Sequence, residues 1–402
     1  MSTPNRMAPR DITVGTGFTP VLSTDADEPR PYGRRLTVRC LLVVAAALAI
    51  GCEKTIVVDD PGPLSFDVRI VDGGAGTEEA PLPFSHTPFT LAIDVDAVDL
   101  DGTPATWFDG TLHLRVEPHG KLAEDQPETF EMTGGSARGV PVRLYDAHNV
   151  ANIWVESVGT DDAPGNYATG LSQEIWAANP TIRNVQEVTP DPVLQTWLTS
   201  ALAGEFVIID LTGKIVVVTG VTNDGCYVTD TNELDFEYSS IYVYNFSRPE
   251  VVVGDRVVSL SGTADEFFGF TELSFPSWKV DGTAEVPAPV VIDALNVDDG
   301  NTLEMYESAL VEVADVVVCP LGDGFYTYGQ WAVLVDAGGS CGGTEGLINV
   351  VSAFTDMSFV PEDHVGETLS LVRGNLRFHS SADPPWMIYV RSPDDIVAPG
   401  AK

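Results

Sequence analysis

The chain has 402 residues and a formal net charge of −38, because 59 Asp and Glu residues outnumber 21 Lys and Arg residues. This acidic excess disfavours a general nucleic-acid binder, which neutralises phosphates with clustered Lys and Arg. Apolar residues make up 44% of the chain, too many for a wholly disordered protein and enough for two or three domains with cores. With 37 Gly, 28 Pro and few helical-period patterns, the composition favours β-strands joined by turns.

A short apolar stretch near the N-terminus has the pattern of a signal peptide. Three arginines, Arg34, Arg35 and Arg39, precede the apolar run 41–50. This run is shorter than the roughly 20 residues that a membrane-spanning helix needs, but it suits a signal peptide. Residues 1–33 upstream lack hydrophobic periodicity. Either translation starts later than Met1 or the signal has a long polar extension.

The signal segment ends in Leu48-Ala49-Ile50-Gly51-Cys52, which resembles the lipobox of bacterial lipoproteins. The resemblance implies that residues 1–51 are removed and that Cys52 carries diacylglycerol, which attaches the chain to a membrane. Ala49 departs from the pattern, since Leu is commonest there. The alternative is a buried helix ending in a free cysteine. By resemblance to lipoprotein sorting, Glu53 favours the outer membrane, so we expect a lipid-anchored protein of the cell envelope.

Three further cysteines lie in the mature chain. An exported chain enters an oxidising compartment, where disulfides form and persist. Cys319 and Cys341 fall within one predicted domain and are predicted to form a disulfide. Such a bridge closes a loop of about 20 residues and contributes roughly 3 kcal/mol in the chain-entropy model. Cys226 is predicted to be a small, buried, unpaired strand residue.

The first part of the mature chain is predicted to be a β-sandwich. Residues 52–63 form an acidic tether, and from 64 to 182 short segments alternate between apolar and polar residues, as in 64–70 and 89–95. Half-buried strands of this kind pack as two facing sheets. With the later run 139–145, which looks like a closing strand, the region resembles a bacterial Ig-like domain.

The segment 183–203 is predicted to link this sandwich to the following domain through a helix. Within it, 191–203 places its apolar residues on one face at helical spacing. Pro192 suits the first turn of a helix, and Gly204 suits its end.

Two β units follow, 204–292 and 293–398. In the first, the segments 224–230, 241–244 and 253–262 occur in the order found in the OB-fold modules that accompany secreted bacterial nucleases, which they resemble. The resemblance implies a five-stranded barrel for each unit.

The second unit is interpreted as a divergent repeat of the first. The eight-residue spacing from Gly254 to Gly262 recurs from Gly366 to Gly374, and the segment 323–326 mirrors 224–227. The predicted fold class is therefore all-β: an Ig-like β-sandwich followed by two OB-like β-barrels, with one short linking helix.

No pattern in the sequence indicates a catalytic, metal or cofactor site. None of the 6 histidines has a zinc-ligand spacing, and His113, Glu117 and His119 come nearest to a cluster. In the acidic stretch 94–101, an EF-hand frame fails because Ala97 and Phe108 would fall at ligand positions. Nucleophile elbows, phosphate loops and dinucleotide fingerprints are not found. The sequence thus predicts a protein that is not an enzyme and needs no cofactor.

OB barrels bind single strands or sugars through aromatic side chains and the loops beside them. The candidate ligand-facing aromatics of the first barrel are Tyr227, Tyr242, Tyr244 and Phe268. Its nearby cations are few, namely Lys214, Arg248 and Arg256. A protein or glycan partner is therefore favoured over nucleic acid. The predicted function is a membrane-anchored extracytoplasmic binding or scaffolding module, and the alternative is a non-catalytic accessory of a secreted nuclease system.

Overall fold

The computed structural model describes residues 65–99, 101–158, 168–188, 199–233, 235–336, 338–352 and 359–398. All of them belong to one compact unit, Val58–Lys402. The signal segment, the lipobox with Cys52 and the tether lie outside the described residues.

The first module consists of two antiparallel sheets that enclose one apolar core. One sheet has the order β1-β2-β6-β4, and the other has the order β5-β3-β7-β8, with β9 also paired to β7. The strands are β1 (Ser65–Asp72), β2 (Phe89–Val98), β3 (Gly110–Glu117), β4 (Lys121–Leu122), β5 (Thr129–Met132), β6 (Ser136–Tyr145), β7 (Asn149–Ser157), β8 (Thr169–Leu171) and β9 (Ile175–Ala177).

Strand β2 shows why the sequence folds in this way. Its alternate apolar residues, including Leu91 and Ile93, are fully buried between the sheets. The intervening acidic residues face outward, where Arg138 forms ion pairs with both Asp94 and Asp96. The acidic stretch that invited a calcium interpretation is therefore in part the solvated face of a strand.

A short helix, α1 (Ile182–Gln186), follows the sandwich. Thr181 and Asn184 form a capping box at its start, and Ile182 packs into the core of the next module together with Leu202. Residues 191–198 of the predicted helix 191–203 lie outside the described residues. The chain from 201 to 204 forms a turn, so the described end of that segment is not helical.

The second module is a closed five-stranded barrel. Its strand order is β11-β12-β13-β15-β14, and β14 pairs back to β11, while β10 adds to β14. Strands β13 and β15 are parallel, and the other pairs are antiparallel. The strands are β10 (Phe206–Ile208), β11 (Val216–Val221), β12 (Gly225–Asp230), β13 (Ser240–Tyr244), β14 (Asp255–Phe267) and β15 (Phe270–Thr283).

The third module repeats this topology. The order is β17-β18-β19-β21-β20, closed by pairing of β20 with β17, and β19 is parallel to β21. Its elements are β16 (Val290–Val291), α2 (Gly300–Met305), β17 (Leu310–Val318), α3 (Asp323–Tyr328), β18 (Gln330–Leu334), β19 (Leu347–Val351), β20 (Thr368–Phe378), β21 (Trp386–Tyr389) and β22 (Ile396–Val397). The predicted all-β architecture with two OB-like barrels is confirmed.

The glycine spacing in the two barrels has a structural basis. Gly254 and Gly366 precede the fourth strand of their barrels with φ of 96° and 82°, which favours glycine. Gly262 and Gly374 lie within those fourth strands.

The predicted correspondence between the segments 224–227 and 323–326 of the two barrels is wrong. The segment 224–227 leads into strand β12, whereas 323–326 opens helix α3, and the second strand of the third module begins only at Gln330. The connection between the first two strands is longer in the third module, and its added length forms the helix. A four-residue motif is too short to determine the conformation of such a loop.

Candidate binding cleft between the two barrels

The two barrels contact each other through equivalent ends. The N–H of Ser380, which follows β20, donates a 3.0 Å hydrogen bond to the carbonyl oxygen of Phe268, between β14 and β15. Asn375 Nδ2 donates to Thr219 Oγ1 at 3.1 Å, and Arg391 Nη1 donates to the Thr219 carbonyl oxygen at 3.0 Å. The loop between the fourth and fifth strands of one barrel is thus held against its counterpart in the other.

A cleft of about 570 Å³ opens where these loops meet the loops between the first and second strands. It is lined by Thr222, Asp224, Phe267, Phe325, Thr327, Tyr328, Gly329, Gln330, Arg377, His379 and Tyr389. In an OB barrel, the loops between strands 1 and 2 and between strands 4 and 5 flank the ligand. Three of these four loops supply lining residues, and Phe267 lines the cleft directly beside the fourth, so all four converge on this one cleft.

Arg377 is the cation of the cleft wall. It is only 9% exposed, and its guanidinium lies over the rings of Phe270, Tyr242 and Tyr389, with centroids 4.4, 5.2 and 5.3 Å away. Among the described residues no carboxylate forms an ion pair with it, and its Nε–H is buried without a hydrogen-bond partner. Cation–π contacts therefore carry the stabilisation that a carboxylate usually supplies.

Asp224 supplies the negative charge of the same wall. Its Oδ1 accepts hydrogen bonds from the hydroxyls of Tyr242 at 2.6 Å and Thr222 at 2.8 Å, which fix the carboxylate in place. Gly225 beside it lets the ring of Tyr242 approach, since a Cβ there would meet that ring at 2.6 Å. Neither bond uses Oδ2, so within the described part of the chain this oxygen is left for a ligand.

Flat rings line the cleft or pack directly beside it. Phe268 is 50% exposed, and its ring stacks on His379 with centroids 4.5 Å apart and planes 15° apart. Phe267 meets Phe268 edge to face and Tyr328 is 65% exposed, so both present ring surface to solvent. Burial, followed by the charge of Arg377, lowers the pKa of His379, which favours the neutral imidazole.

The candidate aromatics from the sequence divide into two groups. Tyr227 and Tyr242 are 1% and 0% exposed and form a small cluster with Phe270. They lie outside the barrel core, but Arg377 of the other barrel covers them, so their prediction as ligand-facing residues is corrected. Tyr244 is half-buried against this cluster, and Phe268 does not line the cleft but stacks on His379, which does.

A set of buried carboxyl groups lies behind the cleft, at the contact between the barrels. Burial raises the pKa of Glu272 to about 7 and that of Glu304 to about 8. Burial also raises the pKa of Glu307 well above its usual range, and it raises the pKa of Glu266. Glu272 and Glu304 are therefore at least partly protonated at neutral pH, and the charged residues that line the cleft itself are Arg377 and Asp224.

The cations predicted near the first barrel do not form a groove. Lys214 Nζ contacts Asp230 at 3.0 Å and Glu233 at 2.8 Å, and Arg256 lies 3.7 Å from Asp281. Arg248 does not line the cleft.

The histidines do not assemble into a metal site within the described ranges. His113 faces Glu128 and Glu156, whereas His119 packs against His148 with ring centroids 4.4 Å apart. No group of three potential ligands is found in the part of the chain that the structure describes.

The cysteines of the barrels occupy distinct environments. Cys319 and Cys341 are joined by a disulfide, with Cα atoms 5.3 Å apart. Cys226 is buried on β12 and unpaired, and burial raises the pKa of its thiol to about 12.

A second polar recess, of about 510 Å³, contains a His–Asp pair. His86 Nδ1 contacts Asp146 Oδ1 at 2.7 Å, and its Nε2 lies 2.9 Å from the carbonyl oxygen of Asn184. Both ring nitrogens of His86 are thus occupied by the protein, and the histidine braces the sandwich against α1.

Sequence reasoning did not identify Arg377 or Tyr328 as site residues, because it considered each barrel alone. Their positions in the second unit could have indicated them. Each belongs to a loop or strand end that corresponds to a ligand-bordering segment of an OB barrel.

No protein-family model, curated protein or solved structure matches this chain. Among the described residues, no helix is both long and apolar enough to cross a membrane.

Proposed function

We propose that this chain is a lipid-anchored binding protein of the bacterial cell envelope, without enzymatic activity, and that the cleft between the two barrels is its ligand site. The observation that carries the proposal is the convergence of four loops from two OB-like barrels on one cleft. The lipobox resemblance at Cys52 supports the anchor, and an acidic surface suits attachment through acyl chains better than through anionic lipid headgroups.

The chemistry of the cleft suits binding. Its polar groups are held by the protein: Asp224 by two hydroxyls, Arg377 by aromatic rings and His379 by stacking. Exposed rings beside fixed polar groups provide contact area and orientation for a ligand at low cost in side-chain entropy. A protein or glycan partner is consistent with this arrangement.

The anchor is tested by Cys52→Ser in the full chain, with Cys40→Ser as the matched control within the same signal segment. Cys52→Ser should leave an unprocessed precursor or release the protein from membranes, and Cys40→Ser should change neither. The measurements are membrane fractionation and intact mass, which reports diacylglycerol directly. A Cys52→Ser protein with unchanged mass and membrane association would overturn the anchor.

The binding site is tested by photo-crosslinking in cells. A photoreactive phenylalanine derivative at Tyr328 should capture an envelope component, whereas the same group at Trp107, an exposed residue of the sandwich, should not. Equal adducts at both positions, or none at Tyr328, would argue against the cleft as the ligand site.

A further inference from the structure

We propose that the cleft binds an uncharged polyhydroxylated chain, namely an oligosaccharide without carboxylate, sulfate or phosphate groups. This inference rests on the proposed function, since it assigns a ligand class to the same cleft. It follows from four properties of the cleft: its balanced charge, its hydrogen-bonding groups, its exposed rings and the pairing of the strands around it.

The charge balance excludes strongly charged ligands. Arg377 and Asp224 line the same cleft, so an anionic ligand gains from one and is repelled by the other. The net charge of −38 adds further repulsion.

The polar groups of the cleft require a ligand that both donates and accepts hydrogen bonds. A guanidinium only donates hydrogen bonds and a carboxylate only accepts them, and Arg377 and Asp224 both line the cleft. The Asp224 Oδ2 lacks a donor among the described residues. A hydroxyl group can satisfy either one without bringing a charge.

The aromatic residues provide flat apolar surfaces beside these polar groups. The exposed rings of Phe267 and Tyr328 line the cleft together with His379, on which Phe268 stacks. A sugar ring presents a face of C–H groups, which packs on an aromatic ring, while its hydroxyls point outward at the edge. The cleft therefore offers both kinds of contact that such a ring makes.

A peptide added as a further strand does not fit this place. The strands that line the cleft are β14 of the first barrel and β18, β20 and β21 of the second, and each is paired on both sides. No free strand edge borders the cleft among these four strands, so the main-chain ladder of strand addition has no template.

The test uses the full chain purified in detergent, with calorimetric titration. The neutral probes are oligosaccharides of β-1,4-glucose, α-1,4-glucose, β-1,3-glucose and β-1,4-N-acetylglucosamine. The other probes are oligogalacturonate as an acidic sugar, oligo-dT as a phosphate chain and an extended peptide. We expect at least one neutral oligosaccharide to bind, and the acidic probes not to bind.

Four variants locate the binding. Tyr328→Ala and Phe267→Ala, both at exposed rings, should each weaken binding of the neutral sugar about tenfold. Trp107→Ala, an exposed ring of the sandwich, should leave it unchanged. Asp224→Asn keeps the side-chain shape but removes the charge, so it should weaken neutral-sugar binding several-fold and allow oligogalacturonate to bind.

The outcomes separate the inference from the proposed function. If only oligogalacturonate, oligo-dT or the peptide binds, and the cleft variants abolish that binding, the ligand class is wrong and the cleft remains the site. If a sugar binds but no cleft variant affects it, both are overturned. Failure of every neutral oligosaccharide to bind overturns the ligand class.

Discussion

The main-chain N–H of Thr271, in the first barrel, donates a 3.0 Å hydrogen bond to Oε2 of Glu307, a buried carboxyl group of the second barrel. The other oxygen, Oε1, is buried without a hydrogen-bond partner among the described residues. Burial, followed by the charges of Glu304 and Glu266, raises the pKa of Glu307. The contact between the barrels is therefore built on carboxyl groups that are easier to bury when protonated.

This arrangement predicts that stability falls as the pH rises through neutrality. Burial raises the pKa of Glu304 to about 8, whereas an unfolded glutamate titrates near about 4.3. Between these two values the folded state binds more protons than the unfolded state, so the free energy of unfolding decreases with rising pH. Each such group contributes at most about 1.4 kcal/mol per pH unit.

Thermal unfolding of the chain from about pH 5 to about pH 8 measures this effect, and Tm should fall across the window. Glu304→Gln removes the titrating group and should flatten the profile. Glu285→Gln, at an exposed carboxylate, is the matched control and should not alter the slope. A Tm that rises over this range in the unaltered chain would contradict the prediction.

A second prediction concerns the glycine in the fourth strand of the second barrel. A Cβ at Gly374 would collide with the main-chain carbonyl group of Tyr389 on the neighbouring strand, where the backbone has no room to yield. Gly374→Ala should therefore destabilise the fold by at least about 2 kcal/mol.

The control for this substitution is Gly300→Ala in helix α2. Nothing lies within 4 Å of a Cβ there, and alanine favours a helix, so the change should be neutral or slightly stabilising. Chemical denaturation of the two variants gives the comparison, and similar midpoints would show that the close approach at Gly374 does not constrain the barrel.

A third prediction concerns the disulfide. It spans a sequence separation of 22 residues, and its loss should cost roughly 3 kcal/mol by freeing the unfolded chain. Reductant should lower the Tm of the unaltered chain, but not that of the Cys319→Ala/Cys341→Ala variant. Peptide mapping without reductant should recover the Cys319–Cys341 pair, with Cys226 alkylated only after unfolding. A recovered peptide that links Cys226 to either partner would contradict the assignment.

Patterns within one barrel or one sheet were readable from the sequence. The alternation along β2 placed Leu91 and Ile93 inside, and the glycine spacing identified the fourth strands of both barrels. Both features depend on contacts within one module. Such contacts produce period-two apolar patterns and glycines at positive φ, which are visible in the sequence.

The cleft depends on how the two barrels dock. The pattern of apolar and polar residues along one β-strand contains no information about that docking. Alternation on β12 and β13 correctly places Tyr227 and Tyr242 outside the barrel core, since Cys226 and Val228 fill it. An outward residue is ordinarily exposed, but here Arg377 of the other barrel covers both tyrosines. The same docking brings Arg377 and Asp224 to one cleft, although they lie far apart in the sequence.

The last prediction concerns nucleic acid, since the resemblance to nuclease-associated barrels makes DNA binding the natural alternative. A single-strand site needs a basic groove along the backbone as well as stacking rings. The cleft has the rings, but its one described cation, Arg377, shares the cleft with Asp224, and Lys214 and Arg256 are engaged by carboxylates elsewhere. We therefore expect no appreciable binding of single strands at physiological salt, and no cleavage of DNA with Mg²⁺ or Ca²⁺.

Fluorescence anisotropy of labelled oligo-dT over a salt series, together with a nuclease assay, tests this expectation on the full chain. Asp224→Lys provides a matched gain-of-binding variant, because it replaces the opposing carboxylate with a second cation beside the same rings. That variant should bind oligo-dT at low salt, and its affinity should fall as the salt concentration increases. The reason is that each phosphate contact releases cations condensed on the nucleic acid, and added salt opposes this release. The unaltered chain should not bind. Tight, salt-dependent binding by the unaltered chain would reveal a basic path outside the described cleft, and chelator-sensitive cleavage would overturn the non-enzymatic proposal.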